Sequence, residues 1–196
     1  MKELCRAGKI VYFKLEESSE VDKYRIFVRK EEFKPEDKAK AAEESGGGFE
    51  FFRGLGIADY KQLFKIWLRK FPRPILLVAA ENMRIISWVY IEEWFDTALD
   101  GSSAYVLRAI ETVPALRGKR IGFRLLMLGL HETPGYMITK PLSEAAERFF
   151  KRAGFMEESE FRRPPVDLSK HCGYLILPPY RKQMVLKNMT EYFERL

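Results

Sequence analysis

Residues 117–122 read Arg-Gly-Lys-Arg-Ile-Gly, and one helical turn further on stands another cation, Arg124. The stretch before them, Tyr105 to Val113, is rich in β-branched and aromatic residues, while Ile121, Leu125, Leu128 and Gly129 beyond recur at helical spacing. A strand is therefore expected to run through this turn into a helix. The first N–H groups of a helix have no partner inside it, and the helix dipole puts positive charge there. Arg117, Lys119, Arg120 and Arg124 add four cations at that point, and Gly118 and Gly122 let a ligand approach the backbone. Such a turn suits an anion, above all a phosphate. Its spacing is neither G-x-x-x-x-G-K-S/T nor G-x-G-x-x-G, which excludes the Walker loop and the dinucleotide fingerprint. An ordinary basic helix start would use the same residue types.

The elements that must position this turn follow from periodicity. Lys9 to Leu15 and Tyr24 to Val28 read as two strands, plausibly an antiparallel pair. Pro35 opens a short charged helix to Glu44, and Gly46-Gly47-Gly48 ends it, with Phe49, Phe51 and Phe52 directly after and expected to be buried. From Ile57 to Phe71, the residues Ile57, Tyr60, Leu63, Phe64, Trp67, Leu68 and Phe71 fall on one helical stripe, which reads as core, and Pro72 and Pro74 stop the helix. Ile75–Ala80 and Arg84–Ile91 are strands joined by the polar link Glu81-Asn82-Met83, a hairpin. Alternation sets Trp88, Tyr90 and Glu92 on one face and Ile85, Ser87, Val89, Ile91 and Glu93 on the other. Tyr136–Thr139 is a short strand, Leu142–Ala153 a helix capped by Gly154, and Met156–Phe161 a strand. The segment from Arg162 to Arg181 reads as loop with a possible strand at Tyr174–Leu177, and Thr190–Leu196 as a short terminal helix.

Composition bounds the partners. The chain has 196 residues and a formal net charge of +6, but its lysines and arginines are spread without a long block, so the excess points more to a phosphorylated cofactor at residues 117–124 than to nucleic acid. Nucleic acid stays an alternative. Cys5 and Cys172 form no C-x-x-C pair, and neither His131 nor His171 has the spacing of a zinc ligand, so no metal is expected and both histidines read as surface or loop residues. The longest uninterrupted apolar run, Ile75 to Ala80, is too short for a bilayer, and no targeting segment is evident. A reduced, cytoplasmic protein, monomer or homodimer, is expected.

The turn resembles the acyl-CoA pyrophosphate loop of the GCN5-related N-acetyltransferases (GNAT), written Q/R-x-x-G-x-G/A, with Pro114 matching the proline of the longer form V-x-P-x-x-R-G-x-G-x-G. Thr112 stands at the valine position and Arg120 at the middle glycine. A second signature of that family, N-x-x-A-x-x-F-Y-x-x-x-G-F, aligns with Ser143, Ala146, Phe149, Phe150, Gly154 and Phe155; serine replaces asparagine and Phe150 replaces tyrosine. Gln183–Lys187 resembles the family's last strand. The element order matches from residue 24 to 187, leaving 1–23 as an additional N-terminal strand segment of a single domain, 1–196.

The resemblance implies an α/β (α+β) fold with a mixed, mostly antiparallel central sheet, splayed after the phosphate-turn strand, and helices on both faces. It implies acetyl-CoA, or another acyl-CoA, as co-substrate and no metal. Backbone at Glu111, Thr112 and Val113 would meet the pantetheine arm, and Arg117, Gly118, Lys119, Arg120, Ile121 and Gly122 the pyrophosphate, with Ser143 and Phe149 in the second motif. The chemistry implied is acyl transfer to an amine, a small molecule or a peptide, which needs a base, oxyanion donors and an acid for the thiolate. Glu111, at the strand end, is the candidate base; it would serve equally as a solvated carboxylate or an arginine's partner. Glu92, Glu93 and Asp96 could draw in a cationic amine or simply be solvated. Phe150 has no proton to give, which leaves Tyr136, or water, as the acid. The rivals are a CoA-binding protein without catalysis and a basic RNA-binding or RNA-modifying protein.

Overall fold

The computed structural model describes residues 1–26, 48–50 and 59–193, with side chains up to 188. Among these residues there are eight strands: β1 (Lys2–Ala7), β2 (Ile10–Leu15), β3 (Ile75–Glu81), β4 (Arg84–Glu93), β5 (Ala104–Thr112), β6 (Tyr136–Thr139), β7 (Met156–Glu157) and β8 (Leu175–Leu177). Four α-helices accompany them among the described residues: α1 (Tyr60–Trp67), α2 (Ile121–Glu132), α3 (Glu144–Arg152) and α4 (Pro179–Phe193). Hydrogen-bonded neighbours follow the order β1-β2-β3-β4-β5-β6-β8-β7. The β5–β6 pair is parallel, and β1–β2, β2–β3, β6–β8 and β7–β8 are antiparallel. The expected mixed, mostly antiparallel sheet is thus observed. The chain forms two compact units, one from residues 1–90 and 109–128, the other from 91–108 and 129–196.

In the first unit, β3 and β4 are buried on both faces, with Leu76, Leu77, Val78, Ile85, Trp88 and Val89 excluded from solvent. Their hairpin turns at Asn82 and Met83, both with positive φ (49° and 59°), the backbone that a tight two-residue turn between twisted strands requires. Tyr60, Phe64, Trp67 and Leu68 of the expected stripe are core and Leu63 is half-buried, but the helix ends at Trp67, so Phe71 lies beyond it and is 97% exposed, and Ile57 is outside the described residues. Asp59 caps α1 by accepting from the Gln62 amide at 2.9 Å. Tyr60, Phe64 and Trp67 then pack their rings on Trp88 at centroid separations of 6.2, 5.5 and 5.6 Å. Phe49 is buried and stacks on Tyr60 at 5.3 Å, while Phe51 and Phe52 lie outside the described residues. So does the helix expected over Pro35–Glu44.

Several expectations change here. Lys9–Leu15 does not pair with a strand at Tyr24–Val28. Its partners are β1 and β3, and residues 18–23 form a 3-10 helix after which Arg25 makes a single bridge to Arg84. The remainder, 27 and 28, lies outside the described residues. β1 escaped the sequence reading because KELCRA carries no β-branched residue and half its side chains stay exposed. The expected strand Met156–Phe161 shortens to β7, after which Glu158–Glu160 form a 3-10 turn. Gln183–Lys187 is not a strand. It lies inside α4, which begins with Pro179 at its first position and continues through the good helix formers Arg181, Lys182, Gln183, Met184 and Leu186.

In the second unit, β6 runs in register with β5 from Ala104↔Tyr136 to Leu107↔Thr139. The ladder stops there, while β5 continues to Thr112. Trp94, Val106, Ile138, Val166, Leu168 and Ile176 form the core. Lys182 of α4 is buried beside it and donates to the carbonyls of Thr133 (2.6 Å) and Gly135 (2.7 Å), just past the end of α2. Burial lowers its pKa to about 8. Below pH 8 both folded and unfolded chains carry this proton, whereas between about 8 and 10.5 the unfolded chain holds it more tightly, so its effect is to raise stability with pH across that window. The stability of wild type minus that of Lys182→Met, from urea midpoints at pH 7 to 10.5, should be flat up to pH 8 and climb above it. A flat difference throughout would refute the assignment.

Candidate active site

Of the sequence-derived site residues, Glu111, Thr112 and Val113 lie at the end of β5, next to the turn from Arg117 to Gly122. Strand alternation sends Glu111 and Thr112 to opposite faces. Glu111, only 5% exposed, lies on the face that α1 covers. Its Oε1 accepts from the Glu50 amide at 2.8 Å and its Oε2 from the Tyr60 hydroxyl at 3.1 Å. It is buried and not solvated, and the Glu50 amide and the Tyr60 hydroxyl both donate to it. Thr112 lies on the other face, where Ser87 of β4 is fully buried. The Ser87 hydroxyl donates to the Glu111 carbonyl at 2.8 Å, so the 2.8 Å contact between Ser87 Oγ and Thr112 Oγ1 takes its proton from Thr112.

Gly122 packs directly on this pair. A Cβ at that position would stand 2.9 Å from Thr112 Oγ1 and 3.9 Å from the Ile110 side chain. The helix therefore starts closer to the strand than any side chain permits. The amide of Val113 donates to the Ile86 carbonyl at 3.0 Å, so the next-door peptide groups of Thr112 face away from β4. After a 3-10 turn at Pro114–Leu116, Gly118 and Arg120 both adopt positive φ (79° and 60°). The Arg124 amide bonds back onto the Arg120 carbonyl at 2.9 Å. Among the described residues no backbone carbonyl accepts from the amides of Ile121 or Gly122. Alternating left-handed residues followed by open helical amides make an anion-binding concavity.

The four cations of the turn differ in what they do. Arg117 donates from its Nε to the Thr112 carbonyl at 3.3 Å and pairs with Glu50 Oε1 at 2.8 Å. The Arg124 guanidinium lies over the Tyr12 ring at 5.5 Å. Lys119 and Arg120 are exposed. The left-handed conformation of Arg120 costs an L-residue about 1–2 kcal/mol, part of which glycine would give back as chain entropy. Arg120→Gly is accordingly expected to raise stability by up to ~1 kcal/mol, read from denaturant midpoints; a clear loss would show that the arginine's own contacts outweigh its strain.

The chain has clear structural relatives. The KacTA–DNA complex superposes with a TM-score of 0.56 at 12% identity, covering 91% of this chain and 99% of the other. AtaTR bound with acetyl-CoA gives 0.55 at 13% identity over the same shares. A GNAT-family putative acetyltransferase from Desulfovibrio desulfuricans gives 0.53 at 13% identity, covering 86% and 98%. The chain has the GNAT fold. No protein-family model matches its sequence and no curated protein matches it, so the likeness is carried by structure.

Within the GNAT fold the second motif reads in physical terms. Ser143 is the N-cap of α3, accepting from the Ala146 amide at 3.2 Å. Serine and asparagine are both strong caps, so the exchange preserves the helix start. Phe150, at the family's tyrosine position, is buried between Phe149 (5.2 Å) and Phe155 (5.3 Å) as a core ring. Phe149 is half-buried. Tyr136 sits at the paired end of β6, in register with Ala104, seven residues before Glu111 on β5. Its hydroxyl donates to Asp100 at 2.9 Å, and burial, with that carboxylate next, pushes its pKa up. Glu92 pairs with Arg108 at 2.8 Å, and Glu93 and Asp96 are exposed.

Three residues joined to this site have no motif to mark them: Ser87, Glu50 and Tyr60. Ser87 is a lone hydroxyl in an apolar strand, the one signal among the three. His131 is exposed at the last turn of α2, and His171 stands edge-on to Trp94 at 5.1 Å. Among the described residues no cluster of His, Cys, Asp and Glu could hold a metal ion, and no helix is long and apolar enough to cross a membrane.

Proposed function

We propose that residues 1–196 form an acyl-CoA-dependent N-acyltransferase that moves an acetyl group from acetyl-CoA to a primary amine on a small molecule or peptide. The observation that carries this reading is Gly122. Its missing Cβ, 2.9 Å from Thr112 Oγ1, lets a cationic turn with open amides sit against the end of β5, the cradle that a diphosphate fits. A similarly folded protein was solved with acetyl-CoA bound, which supports the choice of cofactor.

In this reading Arg117 to Gly122 hold the pyrophosphate through backbone amides and side-chain charge, and the peptide groups of Thr112 meet the pantetheine arm, since Val113's amide is taken by Ile86. Ser143 and Phe149 would contribute from the second motif. Acetyl-CoA supplies an activated acyl group. Glu111 accepts the proton that the amine loses, with Glu50 and Tyr60 holding the carboxylate in place. A thiol with a pKa near ~8.5 leaves without strong acid assistance, so the turnover does not depend on Tyr136, although that hydroxyl remains the protein's candidate donor.

One observation favours a second reading, a CoA-binding protein without catalysis: the residue at the family's acid position is Phe150, buried as a core ring. Calorimetric titration with acetyl-CoA, CoA and ATP, in wild type and Gly122→Trp, followed by thiol-release assays on an amine panel, separates the two. The enzyme reading expects selective CoA binding that the tryptophan abolishes, together with amine-dependent thiol release. Binding without release supports the second reading, and absence of CoA binding by folded protein removes both.

A further inference from the structure

The segment that holds Glu111 also reaches the anion turn. Phe49 is buried under Tyr60 and Trp88, which fixes the backbone of the next residue. Glu50 then does two things at once: its amide donates to Glu111 Oε1 at 2.8 Å, and its carboxylate takes Arg117 at 2.8 Å. The same guanidinium covers the Thr112 carbonyl at 3.3 Å. Two groups that the proposed cofactor would need, the arginine charge and the Thr112 peptide, are therefore engaged within the protein.

We infer that Glu50 is an internal counter-anion of the phosphate turn, occupying Arg117 until a diphosphate displaces it and thereby setting the turn's affinity. The inference rests on reading residues 117–122 as an anion site. Its physics is competition. A carboxylate and a diphosphate cannot share one guanidinium without like-charge repulsion. The pair is open to water, with side-chain exposures of 53% for Arg117 and 30% for Glu50, so it is weak enough to be displaced. Only the side chain has to swing. The Glu50 amide, pinned by its neighbour Phe49, stays on Glu111, so exchange at the turn leaves the carboxylate across the strand in place.

The test is calorimetry with two probes, CoA and inorganic pyrophosphate, on wild type, Glu50→Gln, Glu50→Ala, Arg117→Gln and the Glu50→Gln/Arg117→Gln double variant. Both Glu50 variants keep the backbone amide. They should bind each probe about two- to five-fold more tightly than wild type, the reach of an exposed ion pair, and the gain should vanish once Arg117 is glutamine. Unchanged or weaker binding overturns the inference, as does an equal gain in the Arg117→Gln background, which would make Glu50 a diffuse surface charge. Pyrophosphate gain without any CoA binding would uphold the counter-anion and remove the acyl-CoA reading. Binding of neither probe to any variant removes both.

Discussion

Gly122→Ala is expected to lower stability and CoA affinity together, and Thr112→Ala in the same chain is expected to restore much of both. The added methyl would lie 2.9 Å from Thr112 Oγ1, well inside contact distance, and the hydroxyl cannot simply turn away. It is β-branched, which restricts its rotamers, and it is bonded at 2.8 Å to Ser87, whose own proton is on the Glu111 carbonyl. The cheaper response is to move the start of α2 off β5. Such overpacking costs about 1–3 kcal/mol, offset in part by the ~1 kcal/mol that alanine gains over glycine inside a helix. Moving the helix also displaces the Ile121 and Gly122 amides from the turn, so binding falls with stability. Removing the threonine hydroxyl and methyl opens the space, and the double variant should depart from additivity by at least ~1 kcal/mol. Thermal melts and CoA titrations on the four proteins measure this. Additive effects, or an alanine variant as stable as wild type, would mean the contact is not what holds the turn.

The second large effect concerns Glu111. Glu111→Ala removes the acceptor of two donors in a buried place, the Glu50 amide and the Tyr60 hydroxyl, and should cost about 2–4 kcal/mol. Glu111→Gln is the informative change. It keeps the shape and one carbonyl acceptor, turns the other oxygen into an amide donor, and cannot accept the amine's proton. If the carboxylate is the base, Glu111→Gln stays folded, keeps its CoA affinity and KM for the amine, and loses about 10²- to 10⁴-fold in kcat. If it is only a tie between β5, α1 and the Gly48–Glu50 segment, stability falls while kcat per folded molecule holds. The two outcomes are separated by a denaturation curve and a steady-state assay on the same preparation.

Arg120 shows how a departure from a motif becomes legible once the backbone is known. The family pattern has glycine there, and the structure supplies the reason: the residue sits at φ 60°, where only glycine is unstrained. Arginine keeps the conformation and adds charge at the mouth of the turn. Ser143 is the opposite case, a change that costs little because a cap needs a short side-chain acceptor and serine provides one. The short-range signals were sound where one element decides its own fate: the part of the stripe from Tyr60 to Leu68, the β3–β4 hairpin, the 136–139 strand and the strand-turn-helix through residue 122; Phe71, placed on the same stripe by spacing, falls past the end of α1 and is exposed. They misled where neighbours decide. Lys2–Ala7 is a strand because β2 offers a partner edge, and Gln183–Lys187 is a helix because it follows the proline start of α4 and buries Lys182 against the end of α2.

By itself the amino-acid sequence determined the chemistry of the turn, its place between a strand and a helix, and the order of elements that make this an α/β chain, because capping, periodicity and glycine spacing act within a few residues. The tertiary structure alone decided the partners. That Glu50 meets both Glu111 and Arg117 across 61 and 67 residues, that Ser87 braces Thr112 under Gly122, and that Tyr136 belongs to Asp100, all depend on which strands lie side by side. Contacts that close long loops are set by packing and register, which no local pattern encodes.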